Sequence, residues 1–166
     1  MSEELYSGEM RTKLDQLFSK IYRDPLYLDS LLRTLEINKI QKKYQEEGQP
    51  PIFEKEYDDL GLVKKFSMHP SYEGRVPMPR QEFTEEEWRA ILGIIEQDEG
   101  IGSKLVTMMG IGLLEAKLLD SLQGKGMSKG PLILIEIDKH GFPEGCRINP
   151  RYDIKIDPAM PDIHLN

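Results

Sequence analysis

Residues 131–138 read Pro-Leu-Ile-Leu-Ile-Glu-Ile-Asp. Four consecutive apolar residues lead into an alternation of acidic and apolar side chains, a pattern typical of a strand that is buried on one face and reaches solvent at one end. We therefore predict the central strand of the protein here. Turn-forming residues follow at 139–145, and alternation returns at 146–149 and 152–157, which predicts a hairpin or a three-stranded meander.

Helices are predicted where apolar residues recur at spacings of three and four. Such segments occur over residues 8–22, 25–47, 85–97 and 103–122. The start of the third helix is a capping box, because Thr84 and Glu87 can each accept a hydrogen bond from the backbone N–H of the other. Ser103 is the predicted cap of the fourth helix, and Gly110 and Gly112 leave open whether that helix is continuous.

The segment between the two helical pairs, residues 49–83, is rich in proline and predicts an irregular loop with one candidate strand at 60–68. No internal repeat is expected. These segments together predict a single α+β domain with about four helices packed on a small, mostly antiparallel C-terminal β-sheet. Its parts are a helical hairpin (1–48), the irregular loop (49–83), two helices (84–123), a hairpin or meander (131–157) and an extended tail (158–166).

The chain is acidic, with 22 Lys and Arg side chains against 29 Asp and Glu and a formal net charge of −7. Binding to nucleic acids or to anionic membranes depends mostly on basic side chains, so neither is an expected partner. The single cysteine, Cys146, has no partner for an internal disulfide, and the first residues lack a basic and then apolar secretory signal. A cytoplasmic protein is therefore expected.

The loop at 69–80 contains the residues that the sequence favours for binding. Prolines on both sides of Met78 hold that residue in an extended segment, which is typical of a recognition loop. The favoured hypothesis is thus a non-catalytic interaction or ligand-sequestering protein, with a protein or small-molecule partner and no cofactor. The candidate binding residues are His69, Tyr72, Arg75, Met78 and Arg80.

An alternative hypothesis places a divalent metal at the end of the predicted central strand. Side chains alternate along a strand, so Glu136, Asp138 and His140 lie along one side if the strand continues. Carboxylates and imidazole are suitable ligands for Mg, Mn or Zn. A strand whose outer face becomes solvated explains the same pattern, so no metal site is favoured.

A more specific version of this alternative uses Asp138 together with Asp153 and Lys155. An acid, a hairpin and then an acid-x-lysine triplet, over residues 136–155, resembles the metal-and-lysine signature of PD-(D/E)XK nucleases. The resemblance implies that the two acids hold Mg or Mn and that Lys155 orients or activates the attacking water. The second functional hypothesis is therefore a metal-dependent hydrolase or nuclease.

Self-association is predicted on two grounds. The helix at 25–47 has more apolar positions than one antiparallel neighbour covers, because Ile37 and Ile40 lie beside its leucine stripe. The alternating segment at 152–157 predicts an edge strand, whose unpaired backbone groups favour pairing with another chain. A homo-oligomer that buries one of these surfaces is expected.

Overall fold

The structure, a computed structural model, describes residues 8–97, 100–122 and 130–152. Four helices and two antiparallel two-stranded sheets make up this part of the chain, which confirms the predicted α+β class. The elements are α1 (Gly8–Arg23), α2 (Leu26–Tyr44), β1 (Phe53–Tyr57), β2 (Val63–Met68), α3 (Glu85–Gln97), α4 (Ile101–Leu122), β3 (Ile133–Ile137) and β4 (Pro143–Ile148).

The strands form two separate hairpins, β1–β2 and β3–β4, and not one C-terminal sheet. The segment predicted as an irregular loop contains β1, which follows Pro50 and Pro51 and whose burial alternates along its five residues. The candidate strand at 60–68 is β2, and it pairs with β1. β3 pairs with β4 alone among the described strands, which therefore do not place it at the centre of a sheet. The predicted third strand lies, from residue 153 onward, outside the described residues.

The chain contains an internal repeat, contrary to expectation. Each half consists of two helices followed by a hairpin, and residues 50–72 align without gaps with residues 130–152. The correspondence is a constant shift of eighty positions. The residues identical in both copies are Pro51 and Pro131, Glu56 and Glu136, Asp58 and Asp138, Gly61 and Gly141, Pro70 and Pro150, and Tyr72 and Tyr152.

Both hairpins use the same turn, which shows that the repeat is structural. In the first, Asp58 Oδ1 accepts hydrogen bonds from the N–H groups of Leu60 and Leu62, at 2.9 and 3.0 Å. This aspartate fixes the turn before a glycine that has a positive φ, 86° at Gly61. The same bonds recur in the second hairpin, from His140 and Phe142 to Asp138 Oδ1 at 2.8 and 3.0 Å, before Gly141 at φ 97°.

Each hairpin packs on the second helix of the other half. A Cβ at Gly61 would lie less than 3.0 Å from the Met109 carbonyl oxygen in α4, and a Cβ at Gly141 equally close to the Leu35 carbonyl oxygen in α2. Only glycine allows this approach of two backbones. The two halves therefore pack against each other in an approximately two-fold arrangement, with α2 beside β3 and α4 beside β1.

The apolar positions beside the α2 leucine stripe are covered within the chain. Ile37 has 0% of its surface exposed and packs in a cluster with Ile52, Phe53 and Val63 of the first hairpin. Ile40 is partly buried against the same cluster. The first ground for self-association, an uncovered stripe on this helix, is therefore wrong.

The fourth predicted helix begins earlier than expected and is unbroken. α4 starts at Ile101, so Ser103 lies inside the helix and is not its cap. The helix continues through Gly110 and Gly112, and Gly112 is where the backbone of Gly61 approaches it. No helix in the described ranges is long and apolar enough to cross a membrane.

The capping box at the start of α3 forms as predicted. Thr84 Oγ1 accepts from the Glu87 N–H at 3.2 Å, and Glu87 Oε1 accepts from the Thr84 N–H at 3.1 Å. The Glu87 carboxylate also accepts two bonds from the Arg80 guanidinium, at 3.0 and 2.6 Å. The bond from Arg80 first, and then that from Thr84, lower the pKa of Glu87 to about 2. The stability that the ionised Glu87 carboxylate contributes is fully present above the ordinary pKa of a glutamate and is lost as the pH falls toward 2.

Thr84→Ala is expected to lower the free energy of unfolding by about 1 kcal/mol, because the Glu87 N–H loses its side-chain acceptor. Urea unfolding followed by circular dichroism measures the change. Ser19→Ala, inside α1 and exposed, is the matched hydroxyl control and should change stability by less. An unchanged midpoint for Thr84→Ala would contradict the role of the cap.

Candidate functional site

Of the five predicted binding residues, the structure brings three together: the rings of His69 and Tyr72 lie 6.0 Å apart between centroids, and the Arg75 guanidinium lies over the Tyr72 ring. Tyr72 is 4% exposed and belongs to the core of the first hairpin, and its hydroxyl donates to the Pro50 carbonyl oxygen at 2.5 Å. Burial raises its pKa. The Tyr72 ring is therefore packed inside the protein, and its predicted contact with a partner stays a prediction. His69 caps the short 3₁₀ turn Pro70–Tyr72, where its Nδ1 accepts from the Ser71 N–H.

The other three predicted residues of this loop differ in their contacts. The Arg75 guanidinium donates to the Ser71 carbonyl oxygen at 2.9 Å and lies over the Tyr72 ring. Arg80 is engaged with Glu87 at the start of α3. Met78 is 58% exposed, but a single exposed methionine does not define a binding surface.

The predicted metal ligands have structural partners instead. Asp138 Oδ1 fixes the hairpin turn, and its Oδ2 accepts from Lys104 Nζ at 2.8 Å. Burial raises the Asp138 pKa, but the bonds from Lys104 and from two backbone N–H groups outweigh it, so the net pKa is lowered. Glu136 pairs with Lys42 at 2.7 Å, and His140 lies in the turn.

Nothing in the described part of the chain assembles a metal site. Residues 8–97, 100–122 and 130–152 contain no group of three or more His, Cys, Asp or Glu side chains that could hold an ion. Asp153 and Lys155, the other members of the nuclease-like set, lie outside the described residues. Of the nuclease-like set, only Asp138 lies among the described residues, and its role in the hairpin turn explains its position.

The repeat creates two equivalent seams between a helix of one half and a hairpin of the other. The α4–β1 seam is closed by a buried cluster. Lys55 Nζ lies 3.5 Å from Glu115 Oε2, with only 8% and 5% of the two side chains exposed. The Tyr57 hydroxyl donates to the same oxygen at 2.5 Å. Burial first, and then the charge of Glu115, raise the pKa of Tyr57 well above its ordinary value, so the phenol stays a donor.

The corresponding residues of the α2–β3 seam are different. The shift of eighty positions matches Lys55 to Ile135 and Tyr57 to Ile137. Leu35 and Met109 are equivalent positions of the two helices, because the carbonyl oxygen of each approaches a hairpin glycine. Counting six residues onward in each helix makes Gln41 the equivalent of Glu115. An ion pair is replaced by an amide and two isoleucines.

Without that cluster the α2–β3 seam is an open groove of about 440 Å³. One wall is formed by residues between 38 and 48, at the end of α2 and the loop after it. The other wall is formed by residues between 130 and 151 of the second hairpin. The volume lies within the range of roughly 300–1,000 Å³ that is common for ligand sites.

The outer edge of β3 offers backbone groups to this groove. Asn149 N–H donates to the Leu132 carbonyl oxygen at 2.8 Å, and such pairs recur at every second residue of an antiparallel ladder. Ile133 and Ile135 therefore direct their N–H and C=O groups away from β4. The described residues supply no hydrogen-bond partner on that side, so within the described part of the chain this sheet edge is unpaired.

Gln41 adds an unsatisfied polar atom to the groove. Its Oε1 is buried and has no hydrogen-bond partner among the described residues, although the side chain lines the groove. Leaving such an acceptor unpaired costs free energy, and an N–H donor placed in the groove would recover it.

Two exposed ion pairs join the walls of the groove. Lys42 of α2 pairs with Glu136 of β3 at 2.7 Å, and Glu47 pairs with Arg151 at 3.1 Å. The bond from Lys42, and then its charge, lower the pKa of Glu136. Because both pairs are solvent-exposed, salt screens them and they open easily.

Comparison with known proteins adds no further site: no family model matches this chain, and no curated protein or solved structure is significantly similar to it. Gln41 and the β3 edge were missed from the sequence because neither has a recognisable motif. The signal that identifies them is the repeat, since only the pairing of the two copies shows which seam lacks its closing residues.

Proposed function

We propose that this protein is a non-catalytic interaction protein that binds an extended polypeptide segment along the free edge of β3. The observation that carries the proposal is the difference between the two equivalent seams. One is filled by Lys55, Tyr57 and Glu115, and the other is a groove in which the β3 edge and the Gln41 Oε1 atom have no hydrogen-bond partner among the described residues.

An extended segment suits this groove because main-chain hydrogen bonds can supply its affinity. Strand addition pairs the N–H and C=O groups of the incoming segment with those of Ile133 and Ile135. β3 is five residues long, so the groove holds a segment of about the same length, roughly 17 Å. A side-chain or backbone N–H of that segment would also satisfy Gln41 Oε1.

The groove favours a segment with little net charge. Its basic side chains (Lys42, Arg147 and Arg151) are matched in number by acidic ones (Glu46, Glu47 and Glu136). Ile135 and Cys146 contribute apolar surface. We therefore expect apolar side chains at alternate positions of the bound segment.

Selection of a displayed seven-residue peptide library against the whole protein is expected to enrich alternating apolar sequences. Ile135→Pro should abolish their binding, because it removes an N–H that points into the groove but not one that pairs with β4. Gln41→Leu should weaken binding about tenfold, which corresponds to one hydrogen bond of about 1.4 kcal/mol. Fluorescence polarisation of labelled peptides measures both effects.

Gln97→Leu, an exposed glutamine at the end of α3, is the matched control and should bind peptide as the natural sequence does. Circular dichroism must show that Ile135→Pro is folded. The proposal fails if no sequence class is enriched, or if enriched peptides bind Ile135→Pro undiminished. A second copy of the chain could supply the bound segment, which would agree with the predicted homo-oligomer. Light scattering of the protein alone tests this by measuring its mass in solution.

A further inference from the structure

The interface between the halves is built from contacts that occur twice. The hairpin of each half rests on the second helix of the other, through Gly61 on α4 and Gly141 on α2. Asn38 of α2 also donates to the Gly141 carbonyl oxygen at 3.0 Å. Because the two halves present similar surfaces, two first halves or two second halves could also pair with each other. The correct pairing therefore needs a feature that distinguishes the halves.

The Lys55–Glu115 pair distinguishes these arrangements. If two first halves paired, Lys55 would face Gln41 in both seams. If two second halves paired, Glu115 would face Ile135 in both seams. Each arrangement leaves a charge buried without its partner, which is strongly unfavourable. Only a first half with a second half places Lys55 against Glu115, at 3.5 Å and almost fully buried.

We propose that the Lys55–Glu115 ion pair selects which halves pair, and that each half accepts the complementary half of a second copy of this chain. The surface that a first half presents to its own second half is the same surface that it presents to another chain's second half. Two chains therefore exchange halves when the charges within each chain no longer match. The segment at 73–84 joins the halves, and its length of roughly 40 Å when extended allows the exchange.

Two single charge reversals in separate full-length chains test this. K55E places two carboxylates in the seam, and E115K places two ammonium groups there, so each chain alone is mismatched. After exchange, the carboxylate at position 55 meets the ammonium at position 115 of the other chain, and the natural pair re-forms in the second seam. Co-refolding the two variants from denaturant, with one isotopically labelled, is expected to give a 1:1 heterodimer of twice 19.2 kDa in native mass spectrometry.

The heterodimer fraction should be at least tenfold above that of labelled and unlabelled natural protein refolded together, and its melting temperature should exceed that of either variant alone. K55E refolded with natural protein is the matched control, because exchange leaves a mismatch there. The chain carrying both K55E and E115K should fold without exchange.

If the double variant folds but the mixed single variants give no excess heterodimer, the proposal is wrong. It is equally wrong if K55E forms as much heterodimer with natural protein as it does with E115K. A double variant that does not fold would show that the seam depends on the placement of each side chain and not on the match of charges, which also overturns the proposal.

Discussion

Gly112→Ala is expected to destabilise the protein by about 3 kcal/mol, near the upper end of the usual cost of overpacking. The new Cβ would lie less than 3.0 Å from the carbonyl oxygen of Gly61, and both groups belong to backbones that cannot move independently. Gly61 is itself held at φ 86° by the Asp58 turn. For a chain of this size the loss corresponds to a fall in melting temperature of about 6–12 °C.

Gly93→Ala is the matched control, since Gly93 also lies inside a helix but has no neighbouring atom within 4 Å of its would-be Cβ. This substitution should raise stability by about 0.5–1 kcal/mol, because alanine is the better helix former. Differential scanning calorimetry of both variants measures the contrast. Equal effects at the two positions would contradict the close approach of the first hairpin to α4.

Lys55→Ile is expected to lower stability by about 3–5 kcal/mol, because it leaves the Glu115 carboxylate buried without its cation. Glu115→Gln should be costly for the reciprocal reason. The double variant, with Lys55→Ile and Glu115→Gln, should return to within about 1 kcal/mol of the natural protein. It gives the closed seam two of the residue types, an isoleucine and a glutamine, that the fold already accepts in the α2–β3 seam.

Chemical denaturation of the four proteins forms a double-mutant cycle that isolates the coupling between the two side chains. Lys64→Ile, an exposed lysine in β2, is the control for removal of a lysine and should change stability by less than about 0.5 kcal/mol. Additive effects of the two seam substitutions would show that Lys55 and Glu115 do not act as a pair.

The repeat produces two seams with the same backbone arrangement but different side chains. The α4–β1 seam is closed by the buried contacts of Glu115 with Lys55 and Tyr57. The α2–β3 seam has the same backbone arrangement, but Gln41 and Ile135 do not close it. Divergence of a few side chains between equivalent positions is thus enough to leave one groove open.

The sequence by itself determined the features that depend on neighbouring residues. The capping box at Thr84 and Glu87 and the helical periodicities were predicted correctly, because each is set by interactions within about four residues. The turn after residue 138 was predicted for the same reason, since Asp138 bonds the N–H groups that follow it, although the strand resumes at Pro143 and not after residue 145 as predicted. These local signals were sufficient for the α+β class.

Only the tertiary structure decided where the two halves meet. Lys55 and Glu115 are distant in sequence, and nothing local marks them as partners. β1 was missed because it has only five residues and closely follows two prolines, and its position depends on α4 packing against it. The burial of Tyr72 was not foreseen either, because it comes from the first hairpin's core. The groove at Gln41 also depends on tertiary structure, because it is formed by the packing of α2 against β3. Neither segment alone determines that packing.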